Sequence, residues 1–473
     1  MKAILFLITF NLSFISVYAQ EVQWANKLIK YSSDLGGKQF GIKRILGKPD
    51  VFPQSGSSPN AWTPKNALDG YEFVEVSFEK PQTVRQIAVF ENLNSGAVVK
   101  ILVDNGSGKY QTVWSRKKDY KTPSFKATIP ADHNYYFKRK RRKIQEAPEV
   151  LNPGIENVIL ENAVSGVVAV RVEFNFALLP GQKQIDAIGI SDSKTLLNAS
   201  INSNAVFEHL SDSKSVALDG ITPNNPIVSP DGKKLFITTL RENKEEVFSF
   251  EKNGNSWANK KCETQFNTNS TYNYIAYLGT DFILKGGNEY SRGSNECGYE
   301  LFSNSNGNSS RSVLKITAFN NYDAASDATM TNDGNVLIMG IETDYTQGGT
   351  DLYFTQKKDD GTYGFLQSMG KTINSAADEG MMHLLSDQKT MLFSSNGFSS
   401  FGDFDIYVSY RLDDTWKNWS EPINLGSKIN TNEFDGMPFY DESNETLYFI
   451  TAINGNNVLK AITLPKNSIF KSN

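Results

Sequence analysis

Cysteine is nearly absent from this chain: Cys262 and Cys297 are the only two in 473 residues. That excludes a small disulfide-stapled scaffold and the thiol-rich zinc modules, both of which need more thiols. The three histidines, His133, His209 and His383, are scattered and give no ligand spacing, so no metal site is expected. The formal net charge is only -4, which gives no reason to expect nucleic acid as a partner. Long apolar runs are missing except at the N-terminus, so no helix of the mature chain is expected to cross a membrane. Helix-length amphipathic runs are missing too. There is no Ser-His-Asp order, Cys-His pairing, phosphate-binding glycine loop or dinucleotide fingerprint.

What is abundant points to strands. Phe (30), Tyr (20) and Gly (35) are plentiful, the composition of many short strands joined by tight turns. The length is enough for two or three domains with proper cores. Lys2 followed by the mostly apolar stretch from Ala3 to Val17 reads as an export signal, with Val17-Tyr18-Ala19 as the cleavage point before Gln20. No Cys stands at that point, so a lipid anchor is not expected. In an exported protein Cys262 and Cys297 are a candidate disulfide, although sequence alone does not bring them together.

From residue 204 a pattern returns about every fifty residues, the signature of a β-propeller. Its clearest copy runs from Asp378-Glu379-Gly380-Met381-Met382 through Met391-Leu392-Phe393 to Gly402-Asp403-Phe404-Asp405-Ile406-Tyr407. Five units can be laid out, one of them degraded, around Tyr274 to Leu284. In each, an apolar inner strand meets an Asp-Gly or Asn-rich hairpin, because such turns need positive φ. A third strand carries an acidic residue before an aliphatic-aromatic pair, as in Asp351-Leu352-Tyr353 and Asp405-Ile406-Tyr407. The last unit has only three strands. A segment near 215–222 resembles the outer strand after Pro422, so it is expected to close the final blade and remove the exposed sheet edges. Five blades are expected, with six as the alternative.

Ser229-Pro230-Asp231-Gly232-Lys233 and the Gly402–Tyr407 run resemble the WD40-like Pro-Asp repeat of TolB-type propellers over residues 204–466. That resemblance implies a propeller and says little about function. Residues 20–192 instead show short strands of period two, as in Phe73-Val74-Glu75-Val76-Ser77-Phe78, indicating an antiparallel sandwich. Trp24-Ala25, Leu46-Gly47-Lys48-Pro49, Ala61-Trp62-Thr63-Pro64 and Leu179-Pro180-Gly181-Gln182-Lys183-Gln184-Ile185-Asp186-Ala187-Ile188-Gly189-Ile190 are similar to the discoidin (factor five/eight type C) domain, a galactose-binding-like jelly roll. The resemblance implies a module for glycans or other surface ligands. A structural calcium is common in that fold, but no run here has a specific ligand spacing, so no cofactor is expected. The expected organisation is all-β: signal peptide 1–19, jelly-roll sandwich 20–192, linker 193–203, propeller 204–466 and tail 467–473.

Three groups of residues are candidates for function. In the sandwich, Trp62 with Asn60, Thr63 and Asn66 could hold a sugar ring, since an indole beside polar side chains does so; a core role for Trp62 is the alternative. In the propeller, Asp323, Asp327, Asp378, Glu379, Glu433 and Asp435 fall at the starts of inner strands and would ring one channel mouth. Their recurrence from blade to blade points to a structural role, whereas the paired carboxylates of glycoside hydrolases are unique to one or two blades. The basic run 138–143 is either an electrostatic clamp or a solvated loop. The expectation is a non-catalytic envelope protein, periplasmic or on the periplasmic face of the outer membrane, recognising protein partners. The alternatives are a secreted or cell-surface location, a glycan-binding role and, last, a glycoside hydrolase. The chain ends at Asn473, directly after the last blade, so no peptidoglycan-binding or sorting domain is expected to follow.

Overall fold

A computed structural model describes residues 20–118, 153–241, 243–287, 294–305, 308–319 and 327–471. The export signal, the basic run 138–143 and Asp323 lie outside the described residues.

The N-terminal unit is built on two long strands, Tyr71–Glu91 and Gly154–Asn175, paired antiparallel. Their ladder slips at Ser77, Gln82 and Val84, so each strand bends there and serves two layers. The early half of Tyr71–Glu91 pairs with Lys27–Tyr31, and the late half pairs with Ala187–Ser191. Val74 and Val76 from one half meet Ile87 and Val89 from the other in one core with Trp62, Phe174 and Ile188. This is the sandwich that the period-two alternation implies.

Five separate four-stranded antiparallel sheets follow, the blades of a propeller. Their inner strands are Asn224–Val228, Tyr274–Leu278, Ala328–Met330, Glu379–Leu384 and Asp435–Asp441, for blades 1 to 5. Blade 5 takes its outer strand from Lys214–Ser215, which pairs with Lys460 and Ala461. The clasp expected near 215–222 therefore exists and sits slightly earlier. The degraded unit forms a full blade, because a shorter hairpin at Gly279–Phe282 replaces the Asp-Gly turn.

The hairpins between the first two strands show why Asp recurs there. Asp231 Oδ1 accepts from Ser229 Oγ and Lys233 N–H, and Asp333 Oδ1 accepts from Thr331 Oγ1 and Asn335 N–H. Gly232 and Gly334 follow at φ +69°, where a side chain would be strained. Neighbouring blades share apolar cores. Leu392, Ile406 and Val408 of blade 4 pack on Leu447, Phe449 and Ile462 of blade 5, with Phe207 of the short helix Ala205–Glu208 filling the gap. No helix among the described residues is long and apolar enough to cross a membrane.

Candidate functional site

The recurrent acidic residues bind backbone, in two registers. In the loop between the second and third strands, Asp351 accepts from Gln347 and Gly348 N–H, and Asp405 from Phe401 and Gly402 N–H. In the loop that enters each inner strand, Glu379 accepts from Ser375 N–H and Oγ (2.9 and 2.6 Å), and from Ser395 Oγ at 2.8 Å. Asp435 repeats this with Thr431 N–H and Oγ1 at 2.6 and 2.8 Å. Asn374 and Asn430 brace the same loops, each accepting from and donating to one third-strand peptide, at Leu352 and Ile406. Burial pushes these carboxyls up: Glu379 and Asp435 to about 8, Asp405 to about 7, Asp351 to about 6, against the pull of their hydrogen bonds.

The ring of six acids expected at one channel mouth is therefore not what the described residues build. Asp378 turns to the Thr350 N–H of blade 3 (2.8 Å), so tightly that any Cβ on Gly349 would collide with its carboxylate. Glu379 and Asp435 are locked into their loops. Glu433 is half-buried in a separate surface pocket with Lys428 and Thr431. Of the five that are described, only Asp327 lines the channel.

That channel holds a cavity of about 320 Å³ lined by the inner strands of all five blades. Exposed Pro230, Thr280, Asn332, Ser386 and Ser443 form its rim, on the face that carries the first-to-second-strand hairpins. Its inner end is at Asn225, Asp327, Met381 and Met437. These four share one register. Ile227, Thr329, His383 and Phe439 stand opposite Phe236, Ile338, Leu392 and Tyr448, and each of the four lies two residues earlier. Three of them, Asn225, Met381 and Met437, have φ of 45 to 53°, at bulges in the inner strands. Such strain is kept where the surroundings over-determine it, often at functional sites. Here neighbouring blades do so: Asn225 N–H donates to Met437 Sδ, and Met381 N–H donates to Asp327 Oδ2, both near 3 Å. Asp327 is thus not one of the recurrent acids. It replaces an Asn or Met, in one blade only. Reading the sequence by strand starts missed this, since the bulges shift the register.

In the sandwich, Trp62 is 0% exposed, Thr63 is buried and Asn66 donates to Glu72, so these residues form no sugar platform. Asn60 is also buried, but against the propeller. Its Oδ1 accepts from Ala376 N–H and its Nδ2 donates to Gly397 O, both at 2.8 Å. Around it Gln39 donates to Ala376 O, Ser399 Oγ to Pro49 O, and Gln54 to Ser400 Oγ and Gly402 O. Arg44 sits between Asp50 of the sandwich and Asp351 and Glu379 of the propeller, and burial lowers its pKa against the pull of those carboxyls. The sandwich is therefore docked on loops of blades 3 and 4, on the face opposite the cavity's rim. Asn60→Ala should weaken this docking by about 1–3 kcal/mol, by stranding a buried N–H and C=O. Small-angle scattering should then show a larger radius of gyration with both units still folded; an unchanged radius would refute the anchor.

The cysteines are free and do not pair. Cys262 ends blade 1 and accepts from Asn267 Nδ2; Cys297 is buried in blade 2, where burial pushes its thiol up to about 12. Among the described residues no group of three or more His, Cys, Asp or Glu could hold a metal ion.

No known family model matches the sequence, and comparison with curated proteins gives no match. Among solved structures, an endo-arabinase from Bacteroides thetaiotaomicron VPI-5482 is similar at 18% identity and a TM-score of 0.37, over 55% of this chain and 100% of that one. TolB from Acinetobacter baumannii is similar at 10% identity and a TM-score of 0.33, over 51% of this chain and 54% of that one. A putative TolB from Agrobacterium tumefaciens is similar at 11% and 0.29, over 78% and 99%. The propeller assignment stands on the five-sheet topology rather than on these likenesses.

Proposed function

We propose that this is an exported, non-catalytic recognition protein of the cell envelope, an adaptor that engages a protein partner through the hairpin face of its propeller. The observation that carries the reading is the use of the carboxyls. Glu379, Asp435, Asp351 and Asp405 each hold backbone N–H groups of their own blade, so these four carboxyls are committed to structure rather than free to act as a hydrolytic pair. The rim acids Asp441 and Glu442 are likewise bonded, to Ser443 and Ser386. The sandwich occupies loops on the opposite face, so the open cavity is the surface left to a partner. Export rests on the Lys2–Ala19 pattern.

The test is affinity capture of the tagged full chain from membranes after mild crosslinking. A defined partner should be recovered, and its recovery should fall when Thr280 on the rim is changed to Arg. Recovery of the monomer alone would overturn the reading. So would hydrolysis of a polysaccharide by the purified protein that disappears in Asp327→Asn.

A further inference from the structure

The inner end of the channel has a carboxyl, and no cation among the described residues pairs with it. Asp327 is the one ionisable side chain in the ring of Asn225, Asp327, Met381 and Met437, and burial raises its pKa. One of its oxygens takes the Met381 N–H at 3.0 Å, and it forms no ion pair among the described residues. Of the described residues lining the cavity, three are acidic, Asp327, Asp441 and Glu442, and none is Lys or Arg. His383 does not supply the cation. Its ring lies 4.4 Å from that of Phe439, and burial drives it down to about 4, so it is neutral at physiological pH. The surroundings of Asp327 show the same deficit: burial and the Asp327 charge push Glu245 up to about 7, and no opposing cation lowers it.

The walls are chemically distinct from that end. Ile227, Leu278, Met382 and Phe439 are apolar, and Tyr274 and Tyr277 add aromatic rings. An apolar sleeve ending in a carboxyl fits a group with an aliphatic stem and a cationic head, which also gains from aromatic faces on the way. Depth narrows the occupant further. The strand Ala328–Met330 and Thr331 separate Asp327 from the hairpin that carries Asn332 at the rim, a depth of about 10–13 Å at about 3.3 Å per residue. A lysine or arginine reaching in from a flat partner surface is too short, so the partner's backbone must enter.

We infer that the channel receives the end of an extended partner segment, inserted from the hairpin face, whose lysine or arginine head group pairs with Asp327. This rests on the recognition reading and gives that partner a chemistry: a chain end, basic and otherwise apolar. An ion pair at this depth is poorly screened, and truncating one partner leaves the other charge buried and unpaired.

The experiment is selection of a phage-displayed random octapeptide library, with free N-terminal ends, on the full-length protein. Recovered peptides should be enriched at least fivefold in Lys or Arg within their first three positions. Synthetic versions should bind at least tenfold more weakly when Arg is replaced by citrulline. Asp327→Asn, which keeps an oxygen for the Met381 N–H, should cost a similar factor. Thr280→Arg, at the rim and outside the core, should block entry with Asp327 intact, so a folding defect at Asp327 does not decide the matter. Neutral or acidic peptides, unchanged affinity in Asp327→Asn, or displacement of the peptides by calcium alone at micromolar concentration would overturn the inference. The two readings fail separately. If Asp327→Asn still captures the membrane partner at full yield, recognition stands and the channel assignment falls. If no membrane partner is captured by either form, recognition falls, and the peptide selection still decides the channel.

Discussion

Trp62→Ala should destabilise the protein by about 3–5 kcal/mol, the cost of deleting a buried large aromatic. The indole is fully enclosed, lies edge-to-face on Phe174 with centroids 5.9 Å apart, and donates from Nε1 to Ser33 O at 3.3 Å. The Trp62 backbone exchanges both hydrogen bonds with Ile185, at 2.8 and 3.0 Å, so the cavity would open between layers that cannot easily close on it. Domains are typically stable by only about 5–15 kcal/mol, so a loss of this size is a large share of the whole. Asn60, two residues away, anchors the sandwich to the propeller, and the docking should loosen as well. Urea unfolding followed by circular dichroism reads the result. A loss below about 1 kcal/mol, a surface-like value, together with loss of binding on a glycan array, would restore the sugar-platform reading of Trp62.

Glu379→Leu should cost about 2–4 kcal/mol, because the Ser375 N–H and the hydroxyls of Ser375 and Ser395 lose their acceptor in a buried loop. Glu379 also makes stability depend on pH, with a definite sign. Its folded pKa is about 8 against an ordinary 4.5, chiefly through burial, with Asp351 adding to the rise. The folded protein therefore holds the proton more tightly than the unfolded chain. The stabilisation is complete below pH 4.5 and is lost as pH climbs through about 8. Asp435, Asp405 and Asp351 shift the same way, to about 8, 7 and 6, so their effects add to that of Glu379. The wild-type Tm should fall by several degrees between pH 5 and pH 8.5, and Glu379→Gln should flatten that fall. A Tm that rises over the interval, or an equal slope in the Gln variant, would show that Glu379 is ionised in the folded state. The exposed hairpin acids Asp231 and Asp333 have lowered values through their local hydrogen bonds, so they oppose this trend only toward acid pH.

How far the site could be read in advance depended on the range of each interaction. The Ser375–Glu379 and Thr431–Asp435 bonds span four residues and recur, so the structural role of those acids was legible in the repeat. Asn60 was legible only as a polar neighbour of Trp62, because its two partners lie 316 and 337 residues away. Whether Trp62 is a sugar platform or a core residue is left open by the sequence, because exposure of the indole depends on Phe174 and Ser33, which no local pattern reveals. Cys262 and Cys297 were paired by count, whereas the fold places them in separate blades, each with its own hydrogen-bond partner.

The sequence by itself determined the all-β class, the propeller repeat and its closure by an upstream strand, and the sheet topology decided for five blades over six. The first three follow from short-range rules: alternation along a strand, Asp and Gly in tight turns, and the need to cover the last sheet edge. Only the tertiary structure decided which carboxyl faces the channel. Bulges at Asn225, Met381 and Met437 interrupt the inner strands of blades 1, 4 and 5, whereas the blade 3 ladder has none, so acids near the strand starts stand in different registers in the ring. Because side chains alternate between faces, one inserted residue is enough to turn a side chain from the loops to the channel. Asp327 is the acid that this geometry leaves facing the cavity, and Glu379 and Asp435 are the ones it locks away.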